Sequence, residues 1–230
     1  MKFAILTLFP EMLEPFLHGS ILGRAIEQGV IEIELCNLRD WATDKHKSVD
    51  DTPYGGGPGM VLRVDVIDRA LAELKSKVKG QRSKVILLTP QGQQFTQATA
   101  EQLVTDDRDL ILIAGHYEGF DERVRSIVDR ELSIGDYVLT GGELPAAVVV
   151  DAVARLLPGV LNPESLKDES FSTKSSITLE YPHYTRPDSY TPISQQLGEL
   201  TVPDILKSGD HQKIAAWRLN EARKRTHKPL

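Results

Sequence analysis

Cysteine is almost missing from this chain: Cys36 is the only one in 230 residues. A single thiol excludes an intrachain disulfide and cannot by itself build a thiolate metal site. Histidine offers no replacement, because His46, His116, His183 and His211 are scattered without His-x-His or His-x-x-x-His spacing, so no zinc site is expected. No apolar run approaches the roughly 18–20 residues of a membrane span. Residues 1–9 are mostly apolar but too short for a secretory signal, and they are followed by Pro10-Glu11 where such a signal would have a small-residue cleavage site. The expectation is a cytoplasmic protein with no membrane partner. No Gly-x-Ser-x-Gly occurs, which weakens hydrolase readings. At 40% hydrophobic and 26% charged residues the composition is that of an ordinary soluble chain, long enough to bury a core.

The most informative stretch is residues 133–145, with Gly135, Gly141 and Gly142 within eight positions and no lysine or arginine. Glycine lets backbone approach a ligand closely and takes φ > 0 without strain. A phosphate cradle would add the lysine of a GxxxxGK[ST] loop. The segment therefore suits a flat, uncharged or zwitterionic ligand held by main-chain groups, such as an adenine edge. Two loops of similar character lie upstream. Residues 84–89 form a short apolar run ending at Pro90-Gln91-Gly92, and residues 109–114 form another ending at Gly115-His116-Tyr117-Glu118-Gly119. Such runs read as strands buried on both faces of a parallel sheet. Helical patterns follow each, at 96–104 and 121–129, the second with Asp121 as N-cap. Ligands of open α/β sheets bind beyond the carboxyl ends of strands, so these loops are expected to converge on one site.

Residues 1–160 alternate strand and helix throughout, with strands at 2–8 and 31–38 and helices at 21–28 and 64–78. This is the α/β pattern. Ala70, Leu71, Leu74 and Val78 recur at helical spacing and mark a core face. From Asn162 to Tyr190 the chain is polar and aperiodic. Residues 161–176 read as a linker and 177–230 as a small helical domain, with helices opening near Val202 and spanning 213–225. The net charge of −6 is unevenly spread. Residues 211–230 carry Lys213, Arg218, Arg223, Lys224, Arg225 and Lys228 against Glu221 alone, a local +5. A basic helical tail is the footprint of phosphate contact.

Four runs together carry a resemblance: Tyr54-Gly55-Gly56-Gly57-Pro58-Gly59-Met60, Gly115-His116-Tyr117-Glu118-Gly119, Ile134-Gly135-Asp136-Tyr137-Val138-Leu139 and His183-Tyr184-Thr185-Arg186-Pro187. In this order and spacing the chain resembles the bacterial tRNA (guanine-N1)-methyltransferase family, TrmD, from Leu6 to Arg218. The resemblance implies a SPOUT methyltransferase domain with a deep trefoil knot, an obligate homodimer and tRNA as partner. It implies S-adenosylmethionine against Leu88, Pro90, Gly115, Tyr117, Glu118, Gly119, Ile134, Gly135, Asp136, Tyr137, Val138, Leu139, Gly141, Gly142 and Pro145, with Glu118 at its methionine part. It places residues 54–59 toward the substrate, near the partner subunit. It also suggests a magnesium (Mg2+) requirement, although no ligand cluster in the sequence supports one.

Methylating guanine N1 requires removal of its proton, and negative charge then spreads onto O6. A carboxylate base and a cation near O6 are the minimal equipment. Arg155 matches the family's arginine on the helix after the glycine loop. The family's Asp-Ser-Phe motif is altered here to Asp168-Glu169-Ser170-Phe171. Either Glu169 is the base, in register with Ser170-Phe171, or Asp168 serves after a local shift. Two other classes stay open beside a cofactor-dependent RNA methyltransferase: a nucleotide-dependent transferase, against which the missing P-loop lysine speaks, and a non-catalytic RNA-binding module, against which Arg155 and the linker carboxylates speak.

Overall fold

The computed structural model describes residues 1–77, 83–166, 169–171, 179–194 and 198–226. The chain divides into two compact units, Met1–Pro163 and Glu164–Leu230. In the first unit β1 (Lys2–Thr7) is followed by α1 (Pro10–Leu17), α2 (Ser20–Glu27) and β2 (Glu32–Asn37). A minimal hairpin of β3 (Asp50–Asp51) and β4 (Val61–Leu62) then leads to α3 (Val64–Lys77). After it come β5 (Ser83–Gln94), α4 (Gln97–Thr105), β6 (Asp109–Ala114), β7 (Arg130–Ser133) and α5 (Glu143–Ala154). Five strands form one parallel sheet in the order β2-β1-β6-β5-β7.

Alternation along the central strands sorts their side chains into two cores. Phe3, Ile5, Ile86, Leu88, Leu110 and Leu112 face one way and pack with residues of α1, α2, α4 and α5. Ala4, Leu6, Val85, Leu87, Ile111 and Ile113 face the other and pack on α3. Because both faces are covered, the strands read as unbroken apolar runs rather than alternating ones. Each large aliphatic side chain buried this way contributes roughly 1.5–3 kcal/mol.

Three elements depart from the pattern reading. The helix expected over 121–129 is a 3-10 helix, Glu122–Ile127. Asp121 does cap it, accepting a hydrogen bond from the Arg123 amide. However, Asp129 is already tied to β5, its amide donating to the Val85 carbonyl and its carboxylate accepting from the Val85 amide. Too few residues remain for an α-helix, and a 3-10 segment spans such a gap. Strand β7 went unread because half of its four residues, Arg130 and Glu131, are charged. Helix α1 was hidden by Pro15 in its interior, a residue that removes a helical hydrogen bond. It forms nonetheless, with Leu13 and Leu17, four apart, buried in the core.

The second unit contains the hairpin β8 (Ser189–Tyr190) and β9 (Leu200–Thr201), then α6 (Asp204–Lys207) and α7 (His211–Thr226).

Cys36, on β2, is buried, and burial pushes its thiol up to about 12. A thiol-reactive disulfide reagent at pH 8 should therefore leave the native protein unlabelled and titrate one thiol after denaturation in urea. Rapid labelling of native protein would contradict this packing.

Candidate active site

The carboxyl ends of three neighbouring strands, β6, β5 and β7, open into one pocket of about 370 Å3. Its walls come from residues 87–91, 115–120, 132–135 and 137–142 together with Glu122, Arg125 and Pro145. The first wall is a loop blown out of β5: Leu88 and Gln93 both pair with Leu132 of β7, and residues 89–92 bulge between them. Gly92 returns the chain to the sheet, since a Cβ there would stand 2.5 Å from the Leu132 amide nitrogen.

The other two walls are joined backbone to backbone. The Gly142 amide donates to the Gly115 carbonyl at 2.7 Å. A Cβ on Gly142 would lie 2.6 Å from the Gly115 nitrogen and 2.7 Å from the Ala114 Cα. Tyr117 sits at φ +59 on the pocket rim, a conformation costly for a residue with a side chain. Loop 115–120 is braced from outside, with Glu118 N donating to the Met60 carbonyl and Leu62 N to that of Gly119. The glycine-rich segment after Tyr54 thus ends against this wall. Gly59 is required there because a Cβ would meet the Glu118 side chain.

Beneath the glycine loop lies a buried polar group of three residues. Glu143, in the first turn of α5, accepts a hydrogen bond from the Thr7 hydroxyl at 2.7 Å, and Thr7 Oγ1 accepts one from the Phe9 amide. Both side chains are buried, and a carboxylate suits a helix N-terminus. Nδ1 of His116 is buried without a hydrogen-bond partner among the described residues, and its ring packs edge-on against Phe9 and Tyr117. A Cβ on Gly141 would meet the Glu143 carboxylate and come within 2.9 Å of His116 Nδ1. A side chain at Gly141 therefore collides with Glu143 and His116 of the protein itself.

Arg125 latches the walls from the side. Its guanidinium donates to Gln91 on the β5 loop, to Glu131 on β7 and to Glu122. The hydrogen bond to Glu131 is the main cause holding its pKa above the ordinary arginine value.

Of the residues expected to hold a cofactor, all but Asp136 line this pocket. Asp136 sits in the glycine loop without facing in. Arg155 is not among the lining residues; it is the C-cap of α5, about 18 Å along the axis from the helix's first residue. Glu169 is half-buried in the second unit, and Asp168 lies outside the described residues. Next to Glu169, the Ser170 hydroxyl accepts from the Glu180 amide at 3.1 Å. Phe171 is exposed at φ +65, a strained conformation of the kind that clusters at functional sites. Thr7, Glu143, His116 and Arg125 were missed by pattern reading. Two of them carry a sequence signal: His116 lies inside the Gly115–Gly119 loop, and Glu143 directly follows a glycine pair at a helix start. Among the described residues no group of three His, Cys, Asp or Glu side chains could hold a metal ion.

A parallel sheet flanked by helices, with glycine loops at its strand ends, defines an α/β ligand-binding domain of the open-sheet class. The chain belongs to the tRNA (guanine-1)-methyltransferase TrmD family, whose model matches residues 1–229. It is 51% identical over 228 residues to the tRNA (guanine-N(1)-)-methyltransferase of Moorella thermoacetica, covering 98% of this chain and 87% of that one. The proteins of the same name from Chloroflexus aggregans and Lactiplantibacillus plantarum are each 53% identical, covering 98% and 99% of this chain and 84% and 88% of theirs.

Gly142→Ala should destabilise the fold by roughly 1–3 kcal/mol, the cost of overpacking, as read by urea denaturation. Gly198→Ala, whose Cβ would meet nothing within 4 Å, should stay within about 0.5 kcal/mol of wild type. Arg125→Met removes the latch, and amide hydrogen exchange at Gln91 should then accelerate several-fold while exchange in β1 is unchanged. Equal exchange at Gln91 would show that the β5 loop holds itself.

Proposed function

We propose that the chain methylates N1 of guanine in tRNA, at the position immediately 3′ to the anticodon, with S-adenosylmethionine as methyl donor. Family membership over residues 1–229 carries the reaction class. The pocket supports the donor: its volume of about 370 Å3 falls in the range of small-ligand sites. Main-chain groups of the three loops suit an adenine edge, the aliphatic walls at Leu87, Leu88 and Leu132 suit its faces, and Glu118 suits the ammonium of the methionine part. When bound, the donor supplies an electrophilic methyl on a sulfonium. We assign no metal ligand, and a Mg2+ requirement has no support in the described side chains.

The protein's own part in the chemistry is to move one proton and stabilise one charge. Glu169 accepts the N1 proton, a role worth roughly 10²–10⁴ in rate, with Asp168 the alternative. The Arg155 guanidinium faces the charge that develops on O6. Arg155 caps α5 at the end opposite the pocket wall, which supports a site completed by a second copy: the guanine meets Arg155 of one subunit and the linker carboxylates of the other. Helices α1 and α5 pack against each other and leave Met12, Phe16, Leu144 and Val148 exposed by 43% or more. Apolar residues on one pair of helices suit burial in a homodimer. We further assign residues 1–160 to a SPOUT domain with a deep trefoil knot, in keeping with its backbone-to-backbone loop packing. Residues 161–176 are assigned to the linker and 177–230 to a tRNA-binding helical domain, consistent with its basic α7. Among the described residues no helix is long and apolar enough to cross a membrane, and the cytoplasm, where tRNA is modified, is the proposed location.

Glu169→Gln keeps size and hydrogen bonding but not the proton acceptor. Single-turnover methyl transfer to tRNA should fall at least about 10²-fold, with affinity for S-adenosylhomocysteine unchanged by calorimetry. Asp168→Asn should have a much smaller effect, and the reverse outcome would move the role one residue back. Mixing Arg155→Ala with Glu169→Gln protein should restore part of the activity, since each hybrid dimer keeps one intact composite site. No rescue under subunit exchange would place the whole site within one chain.

A further inference from the structure

The second unit exposes an aromatic and cationic surface that the reaction chemistry does not use. Residues 179–184 run antiparallel along α7. The Leu179 amide donates to the Thr226 hydroxyl, and Arg225 donates to the Glu180 carbonyl. Further along, the Arg218 guanidinium lies 4.8 Å over the Tyr181 ring, and the Tyr184 ring packs 6.4 Å from that of Trp217. Tyr184 remains 49% exposed at the end of this row. The cations of this unit are sorted by type. Lys207, Lys213 and Lys224 are each neutralised by a carboxylate three residues away. Arg186, Arg218, Arg223 and Arg225 make no ion pair with any described residue. Guanidiniums without a carboxylate partner in a unit that also exposes an aromatic ring fit a ligand that offers both flat π faces and phosphates.

We propose that Tyr184, backed by Trp217, is a stacking platform for one unpaired nucleobase of a single-stranded RNA segment, with the open arginines of the same unit contacting its phosphates. This rests on the reading of the unit as tRNA-binding and adds where, and by which chemistry, it grips. Duplex RNA keeps its bases stacked inside the helix and offers no free face, so the platform selects loops.

The test uses the full-length chain in a Trp41→Phe background, which leaves Trp217 as the only one of two tryptophans. A short single-stranded RNA should quench Trp217 emission saturably, and the same sequence annealed as a duplex should not. Tyr184→Ala should weaken tRNA affinity about 5- to 150-fold, the range for loss of one base stack, while Tyr184→Phe stays within about twofold. The slope of log Kd against log salt should be unchanged in Tyr184→Ala and reduced by about 1 in Arg223→Gln. Tyr184→Leu keeps apolar packing without a π face and replaces the alanine variant if that fails to fold. A folded Tyr184→Ala or Tyr184→Leu protein that binds tRNA as wild type does, or Trp217 emission indifferent to saturating RNA, overturns the platform. Methyl transfer by the wild-type chain reads the enzyme assignment separately: transfer retained alongside RNA affinity indifferent to Tyr184 removes the platform alone.

Discussion

The hydrogen bond from the Gly142 amide to the Gly115 carbonyl holds the site together. It joins the loop after β6 to the loop after β7 so closely that no Cβ fits between them. Several features follow from that contact. The pocket is walled by backbone, α5 starts at a fixed place, and Glu143 is carried down to the Thr7 hydroxyl at the end of β1. A neutral backbone hydrogen bond contributes only about 1 kcal/mol net. Its importance is geometric: it sets the separation of two loops whose polar groups would otherwise face water.

Support around this contact is spread over several side chains. Arg125 ties the β5 loop to β7, and Glu143 with Thr7 places a carboxylate at the helix start where the dipole favours it. The proposed chemistry is distributed differently. The pocket and Arg155 belong to the first unit, Glu169 to the second. Arg155 stands a helix length away from the wall that α5 begins. In the proposed homodimer the donor pocket, the cation and the base come from different elements of the chain.

Binding and catalysis also draw on different residue types. The pocket relies on glycine, whose value is the absence of a side chain. The proposed base and cation are long, charged residues at the end of a helix and in an irregular segment. Lys213 and Lys224 of α7 are paired with carboxylates, whereas its arginines make no ion pair with any described residue, so a chain of net charge −6 still carries a local cationic surface.

The sequence by itself determined the sheet and its two-sided burial, because unbroken apolar runs such as 109–114 are stable only between two covered faces. It located the three glycine loops, since Gly and Pro interrupt those runs at the strand ends. It also nominated Arg155 and, as alternative bases, Glu169 and Asp168 through a family's motif order. Tertiary structure alone decided the rest. Arg130 and Glu131 form a strand because β5 offers them a partner, and residues 122–127 tighten to a 3-10 helix because Asp129 is pinned to Val85. Thr7 meets Glu143 across 136 residues of sequence, a contact no local pattern encodes. Periodicity reports which face of an element is buried; it cannot report which distant backbone or carboxylate will be found there.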